Sequence, residues 1–417
     1  MIKSLSLFVL GALVAGLVTG SALFAYGGPA ALRAAEVVEA LGALWLNALR
    51  MTIVPLVFSL LVTGVASAAD AAATGRLAAR AFALFAIMLV IGALFGLFAM
   101  SGLIALWPVD PQGAAAMTAA VEGQSTVQVP PGFAAWLPTL APSNPIRAAA
   151  EDAILQIVVF GLIFGFALTR LPQAQRGLLT QVFRALAETM IVIVRWVLLA
   201  APVGVFALAL GIGLRAGLGA AGVLAQYVVM VTGVTAAIAL LPYGLILLTR
   251  RSRFADFIRA TAPVQALAFS TQSSLACLPV MLEKAQDDLR VPPRVAGVVL
   301  PLAVAIFRLS SPVANLAVAV FVAHLYGLSP SFAQFAAAVA VAFVISIGTV
   351  GLPGQASFFA SIAPICVALG VPVEILAVLL AVEVIPDIFR TVGNVTADMA
   401  VTVVLEDEAP EPATALG

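Results

Sequence analysis

One stretch near the end of the chain, residues 381–402, restricts the possible folds more than any other. It carries five charged or amide side chains in an otherwise apolar run: Glu383, Asp387, Arg390, Asn394 and Asp398. Their spacings of 4, 3, 4 and 4 residues place them on one side of a helix. Because charged side chains that face lipid are costly, the pattern predicts a binding surface turned toward the protein interior or a watery cavity. The alternative is an amphipathic helix at the membrane surface.

The composition favours a membrane protein, and the sequence lacks the motifs expected of an enzyme. Of the 417 residues, 63% are hydrophobic and only 10% are charged, whereas soluble proteins carry about 25% charged residues. The zero net charge gives no electrostatic support for nucleic-acid binding. Cys277 and Cys366 are too few for a disulfide framework and lack metal-site spacing. The sequence has no nucleophile elbow and no phosphate-binding loop.

Long apolar segments predict a series of membrane-spanning helices. We expect the second of them to bend at Pro55 because proline disrupts the helical hydrogen bonds. The predicted spans, before the region of the hairpins, are at about residues 4–26, 41–69, 76–107, 154–168, 185–213 and 220–249. If two later segments are hairpins and not spans, the Lys and Arg clusters all fall on one side of the membrane. This distribution predicts an inner (plasma) membrane protein with both termini in the cytoplasm.

Two segments are too interrupted to be regular spans. Residues 260–283 contain a run of hydroxyl and amide residues at 270–274, and residues 332–369 contain glycine and proline at 348–354. Irregular backbone at membrane depth is tolerated only where it is buried in protein or lines a cavity. Two such segments indicate re-entrant hairpins around a transporter's binding site. The alternative is a pair of kinked spanning helices with packing glycines.

Several motifs resemble the dicarboxylate/amino acid:cation symporter family, which includes the glutamate transporters. The most specific are STQSSLACLP (270–279), SIGTVGLPG (346–354) and DIFRTVGNVTAD (387–398), and residues 49–70, 145–168 and 201–210 resemble further helices. The resemblance implies an all-α polytopic membrane protein with eight transmembrane helices plus two re-entrant hairpins. It also implies a homotrimer in the lipid bilayer, in which a mobile part carries substrate as an elevator and the second hairpin is the outer gate.

The resemblance also implies a division of the chain. It assigns residues 1–70 and 143–213 to scaffold helices, and the third helix (71–107) together with residues 214–405 to the transport domain. The prolines and small polar residues of 108–142 predict an external loop, and the acidic, proline-bearing end predicts a disordered tail at 406–417.

Site roles can be carried over from the family residue by residue. Arg390 would hold the side-chain carboxylate of an acidic substrate, Asp387 its ammonium group, and Asn394 with Thr391 its α-carboxylate end. Asp398 would be a carboxylate of a sodium site. Further substrate contacts would come from Ser273, Ser274, Ser311 and Gly351, and a third sodium site would involve the backbone near Ser346 and Thr349.

The seventh helix departs from the family pattern. The family's Asn-Met-Asp-Gly-Thr motif aligns with Phe307, Arg308, Leu309, Ser310 and Ser311. Phenylalanine and leucine cannot ligate a hard cation, which requires oxygen. On the third helix, the tyrosine, threonine and serine of another sodium site align with Phe82, Phe85 and Ala86.

Arg308 stands in the middle of this predicted span, where an unpaired arginine costs about 2.5–3.5 kcal/mol. The three acids of the last helix outnumber its one arginine, so one more positive charge is a natural partner. Our first hypothesis is that Arg308 acts as a tethered cation, paired with Asp398 or near the lost sodium position. The second is that it replaces an arginine of the first hairpin, where Gln272 now stands, and braces Asp387.

These observations predict a secondary transporter of acidic amino acids or related dicarboxylates. Sodium coupling would be reduced or replaced, and the coupling ion would be Na+ or H+, with Glu383, Asp387 and Asp398 as the candidate proton sites. No organic cofactor is expected. Uniport, exchange and a proton- or sodium-coupled C4-dicarboxylate symporter are alternatives. A transport-inactive substrate sensor or anion channel of the same fold is another.

Overall fold

The computed structural model describes residues 2–73, 76–119, 141–151, 154–216, 219–249, 253–348 and 354–406. This part of the chain is helical and contains no strand, which confirms the predicted all-α class. The first nine helices are α1 (Ile2–Tyr26), α2 (Pro29–Arg50), α3 (Ile53–Ala73), α4 (Arg76–Leu106), α5 (Pro111–Ala119), α6 (Pro145–Ala150), α7 (Ile154–Leu168), α8 (Gln173–Leu199) and α9 (Ala201–Ala216). The others are α10 (Gly219–Ile238), α11 (Leu241–Thr249), α12 (Phe254–Thr271), α13 (Ser274–Asp287), α14 (Pro293–Ile306), α15 (Ser310–Leu325), α16 (Phe332–Gly348), α17 (Gly354–Ala368), α18 (Leu376–Leu379) and α19 (Val384–Val404).

Several helical segments are long and apolar enough to cross a membrane. By length and composition these are Arg76–Leu106, Ala221–Thr249 and Pro293–Leu325, with α8 and α9 as a fourth candidate if the bent pair is one span. The predicted span at 154–168 is helix α7. The predicted count of eight spans stays a prediction.

Two predicted spans are broken rather than continuous. The span at 41–69 is divided between α2 and α3, which meet at Met51 and Thr52, so that Pro55 lies in the first turn of α3, where proline is tolerated. The span at 185–213 is divided at Ala200, where α8 and α9 meet at 62°. Within the external loop predicted at 108–142, residues 111–119 form α5. Asp110 stabilises the first turn of α5 by accepting a 2.7 Å hydrogen bond from the Gly113 amide. Residues 120–140 and 407–417 lie outside the described residues.

The junction between α8 and α9 is held by Trp45 of α2. Its indole N–H donates a 2.9 Å hydrogen bond to the Val197 carbonyl, which also accepts a 3.1 Å hydrogen bond from the Ala200 amide at the end of α8. A Cβ at Gly204 would lie 2.1 Å from the Trp45 ring, so only glycine allows this approach.

The first predicted hairpin consists of α12 and α13, which pack against each other. Its tip is Gln272, in the left-handed conformation at φ 53°, followed by Ser273. The Ser273 hydroxyl caps α13 by accepting a 3.3 Å hydrogen bond from the Ala276 amide. The polar tip is therefore folded as a turn that begins a new helix, and not as a kink in one spanning helix.

The second predicted hairpin consists of α16 and α17, which also pack together. Its base is closed by Gln334, whose amide donates a 3.0 Å hydrogen bond to the Leu369 carbonyl. The chain then turns away at Gly370, which has a φ of 73°. Residues 349–353, at the tip, lie outside the described residues.

The last helix, α19, lies among the elements that these irregular segments form. It packs against both arms of the first hairpin, against α10 and α11, and against α14 and α15 on either side of a break at residues 307–309. A second group of contacts joins α1 and α2 to α9, and α3 to α7 and α8. The division of the chain into scaffold and transport parts stays a prediction.

Candidate functional site

The polar side of α19 faces the protein interior. Glu383, Asp387, Arg390, Asn394 and Asp398 are all buried, with at most 5% of each residue exposed. On the other side, Ile385 and Phe389 are 45% and 36% exposed. A helix with buried charges and exposed apolar residues is suited to a surrounding lipid phase, so the charges mark a functional interior.

The position of the acids along the helix contributes to their stability. Glu383 occupies the N-cap position of α19 and Asp387 lies in its first turn. Negative charge near a helix N-terminus interacts favourably with the helix dipole. The helix therefore favours two carboxylates at this end, close to the arginine one turn further on.

Arg390 is held by two acids in this structure. Its Nη2 donates a hydrogen bond to Glu383 Oε1, and its Nη1 lies 3.6 Å from Asp387 Oδ1. The other oxygen of Glu383 accepts a 2.8 Å hydrogen bond from the hydroxyl of Tyr227, which is fully buried on α10. Tyr227 was not predicted as a site residue, since a single tyrosine in an apolar helix gives no sign of its partner.

Several buried polar groups near the centre of α19 have no hydrogen-bond partner in the described part of the chain. They are the Nε of Arg390, the Nδ2 of Asn394, and the hydroxyls of Ser310 and Ser311. All four can donate a hydrogen bond. Buried donors without partners are costly, so this set is suited to a ligand that accepts hydrogen bonds, such as a carboxylate.

Asn394 connects α19 to the broken helix. Its Oδ1 accepts a 2.9 Å hydrogen bond from the backbone amide of Ser310. Ser310 is the first residue of α15, so its amide has no acceptor within that helix. The neighbouring Gly393 allows the contact, because a Cβ there would lie 2.2 Å from the Ser310 hydroxyl oxygen. Thr391 donates its hydroxyl to the Asp387 carbonyl at 2.9 Å. Asn394 thus fixes the break with its oxygen and leaves its NH₂ group for a ligand.

Arg308 lies in the break between α14 and α15 and is partly buried. Its guanidinium interacts electrostatically with the carboxylates of Asp387 and Asp398, which favour its charge, and with the guanidinium of Arg390, which opposes it. Asp398 is fully buried, and neither of its oxygens has a hydrogen-bond partner among the described residues. Both acids that the sequence offered as partners of Arg308 therefore contribute to its electrostatic environment.

Aromatic carbon surrounds the position that the aligned sodium motif would occupy. The rings of Phe307 and Phe85 are stacked, with centroids 4.6 Å apart and planes at 11°, and both residues are buried, as is Leu309. A sodium ion requires several oxygen ligands, and these side chains supply none. Within the described ranges, no group of three His, Cys, Asp or Glu residues is arranged to hold a metal ion.

The remaining predicted site residues have varied positions. Ser273 caps α13, Ser274 is the partly buried first residue of that helix, and the hydroxyl of buried Ser346 donates to the Ala342 carbonyl at 2.7 Å. Thr349 and Gly351 lie outside the described residues.

A second polar group that the sequence did not reveal joins the first hairpin to α19. Gln265 on α12 hydrogen-bonds to the hydroxyl of Tyr243 at 2.6 Å and to that of Thr396 at 2.8 Å. Thr396 also donates to the Val392 carbonyl at 2.7 Å. This network holds the hairpin arm on the side of α19 away from the buried charges.

The chain is similar to a known protein family over almost its whole length. The model of the sodium:dicarboxylate symporter family matches residues 5–407. The chain is 29% identical to the proton/glutamate-aspartate symporter of Escherichia coli K12 over 410 residues, 96% of this chain and 92% of the relative. It is 26% identical to the proton/sodium-glutamate symport protein of Geobacillus stearothermophilus over 94% of this chain and 91% of the relative.

A mammalian relative is also similar along most of its length. The neutral amino acid transporter B(0) of Oryctolagus cuniculus is 29% identical over 425 residues, 93% of this chain and 77% of the relative. These relatives are membrane transporters and not enzymes. The family match covers almost every residue of the chain, so the protein belongs to the sodium:dicarboxylate symporter family.

Proposed function

We propose that the protein is a secondary active transporter of acidic amino acids whose coupling depends less on sodium than the family name implies. The observation that carries the proposal is the buried charge cluster: Arg390 with its unpartnered Nε beside Asp387 on α19, and Arg308 within electrostatic reach of Asp387 and Asp398.

The donors around α19 support an anionic amino acid as substrate. The planar guanidinium of Arg390 matches a carboxylate group, and the free donors of Asn394 and Ser311 suit a second carboxylate. Asp387 would take the ammonium group of an amino acid and would repel a plain dicarboxylate. The names of the bacterial relatives, which mention glutamate and aspartate, support the same class.

The break between α14 and α15 supports altered ion coupling. Arg308 supplies a fixed positive charge near two buried carboxylates, and the stacked rings of Phe85 and Phe307 occupy space with groups that do not bind cations. A tethered guanidinium would balance the acids where a relative would use a mobile ion. The proton is then the coupling ion that the site favours, as in the name of the Escherichia coli relative.

Family membership and the two hairpins support transport by an elevator motion of residues 71–107 and 214–405 against the remaining helices, in a homotrimer. The lipid bilayer would cover exposed apolar side chains such as Ile385 and Phe389 of α19. The second hairpin, closed at its base by Gln334, would be the outer gate.

Uptake into liposomes tests this proposal. The purified full-length protein is reconstituted, and radiolabelled L-aspartate uptake is measured with a sodium gradient or a pH gradient imposed separately. We expect a pH gradient to drive accumulation without sodium. Steep, cooperative sodium dependence would contradict the proposal. Substrate-dependent thermal stabilisation without counterflow would instead support a sensor that does not transport.

A further inference from the structure

The carboxylate of Glu383 accepts a hydrogen bond from the same guanidinium, that of Arg390, that would bind the substrate carboxylate. Arg390 Nη2 donates to Glu383 Oε1, while Nη1 lies 3.6 Å from Asp387. The carboxylate of Glu383 and that of an incoming acidic substrate are the same kind of group and compete for the same donors. Arg390 can therefore bind a substrate fully only if Glu383 gives up its share of the guanidinium.

We propose that Glu383 is the proton-carrying residue of the transport cycle, and that a proton on its carboxyl group releases Arg390 for the acidic substrate. This inference rests on the proposed transport function and deepens it by naming the group that binds the coupling ion. In the step itself, a proton from water adds to Glu383 Oε1, the ion pair with Arg390 breaks, and the guanidinium forms hydrogen bonds with the substrate carboxylate.

The surroundings of Glu383 distinguish it from the other two acids of the helix. Asp387 and Asp398 both interact electrostatically with Arg308, a cation that keeps its charge throughout the cycle. Glu383 is 1% exposed, and its hydrogen-bond partners are Arg390 and the neutral hydroxyl of Tyr227. When Arg390 turns to a substrate, Glu383 is the acid that loses its counter-charge, and a buried carboxylate without one is strongly unfavourable.

Several other titratable or charged groups lie around the Glu383–Arg390 pair. Tyr227 faces Glu383 from α10, Asp387 and Arg390 lie on the same helix, and Cys366 of α17 lies within electrostatic range of Tyr227. From the break, Arg308 interacts electrostatically with Asp387 and, as a like charge, with Arg390 itself.

The charge balance of the whole cluster is closed by one proton. Three acids and two arginines leave the empty cluster with one negative charge, and an acidic amino acid adds one more. A single proton on Glu383 returns the loaded cluster to the charge of the empty one. The cluster then has the same net charge when it crosses the bilayer empty and when it crosses with substrate. The loaded cluster therefore avoids the cost of carrying a second negative charge through the membrane.

Tyr227 acts as a positioning residue in this scheme. Its hydroxyl donates to the Oε2 atom of Glu383 at 2.8 Å, and its ring is packed edge-on against Phe321, with centroids 5.3 Å apart. A hydrogen bond donated to a carboxylate favours the charged form. Tyr227 therefore keeps Glu383 ionised until protons are available and fixes which oxygen is left for Arg390.

Proton uptake on substrate binding tests the proposal. L-Aspartate is added to full-length protein in weakly buffered detergent solution, and an indicator dye reports the protons taken up per aspartate bound. For wild type we expect about one proton per aspartate, and an affinity that falls about tenfold per pH unit at alkaline pH. For Glu383→Gln we expect no proton uptake and an affinity independent of pH, with counterflow of aspartate retained. Proton uptake by Glu383→Gln equal to that of wild type would overturn the proposal.

Two further variants separate this result from misfolding and from a failure of the transport proposal. Glu151→Gln removes an exposed carboxylate that is also paired with an arginine, Arg147 at 3.7 Å, and should behave like wild type. Tyr227→Phe keeps the Glu383 carboxylate and should move the pH profile of binding to higher pH; an unchanged profile would contradict the role of Tyr227. If wild-type protein binds no aspartate at any pH, the proposed function itself fails.

Discussion

Replacing Arg308 with methionine tests whether this guanidinium balances the buried acids of α19. Asp398 is fully buried and has no hydrogen bond to either oxygen within the described chain, so its charge depends on electrostatic partners such as Arg308. Removing one member of a buried ion pair typically costs about 3–5 kcal/mol. Because Arg308 is itself partly exposed, solvent screening reduces its share, and we expect a loss near the lower value, about 3 kcal/mol.

A double-mutant cycle measures the coupling energy between Arg308 and each acid. Unfolding of detergent-solubilised protein is followed by the fluorescence of its four tryptophans for Arg308→Met, Asp398→Asn and the double variant. Once Asp398 is neutral, Arg308→Met should cost much less, which gives a coupling energy of about 1–3 kcal/mol. The same cycle with Asp387→Asn compares the two acids, and the acid with the larger coupling is the principal partner.

The control is an exposed arginine–aspartate ion pair on α12, the first arm of the first hairpin. Arg259 lies 3.8 Å from Asp256, and their side chains are 82% and 44% exposed. Arg259→Met with Asp256→Asn should show no measurable coupling, since exposed pairs contribute little. Strict additivity of Arg308→Met with both Asp398→Asn and Asp387→Asn would refute the tethered-cation hypothesis.

Three other substitutions test packing around the site. Phe307→Ala should lower the free energy of unfolding by about 3–5 kcal/mol, because it removes a buried ring stacked on Phe85; a thermal shift no larger than that of a surface variant would contradict this. Gly393→Ala should weaken aspartate binding, measured by calorimetry, since its Cβ would lie 2.2 Å from the Ser310 hydroxyl and would push α15 from α19; unchanged affinity would show that the contact is not needed. Gln265→Leu should destabilise the protein by about 1–3 kcal/mol through loss of both its side-chain hydrogen bonds, and wild-type denaturant stability would be the opposing result.

The sequence predicted the polar side of the last helix because helical periodicity acts within one element. The spacing of Glu383, Asp387, Arg390 and Asp398 places them together whatever surrounds the helix, and their burial follows from the cost of charge in lipid. The turn at Ser273 was predictable for a similar reason, since a run of hydroxyl residues in an apolar segment favours a helix end.

What the sequence could not predict lies between elements that are distant along the chain. Tyr227 and Glu383 are separated by 156 residues, and no local pattern indicates that a tyrosine hydroxyl reaches that carboxylate. The stack of Phe85 on Phe307 likewise depends on how α4 packs against the break. The division of α8 from α9 was missed because an apolar run of that length reads as one span, although the turn is fixed by Trp45 from another helix.

The affinity for L-aspartate in the presence and absence of sodium tests the central claim most directly. Isothermal titration calorimetry on purified protein would compare buffer containing sodium with buffer in which choline replaces it, at the same ionic strength and pH. If Arg308 supplies the positive charge that balances Asp387 and Asp398, the two dissociation constants should agree within about twofold, a difference of about 0.4 kcal/mol. A hundredfold tighter affinity in sodium would contradict the account, because it would show that a mobile cation still completes the site.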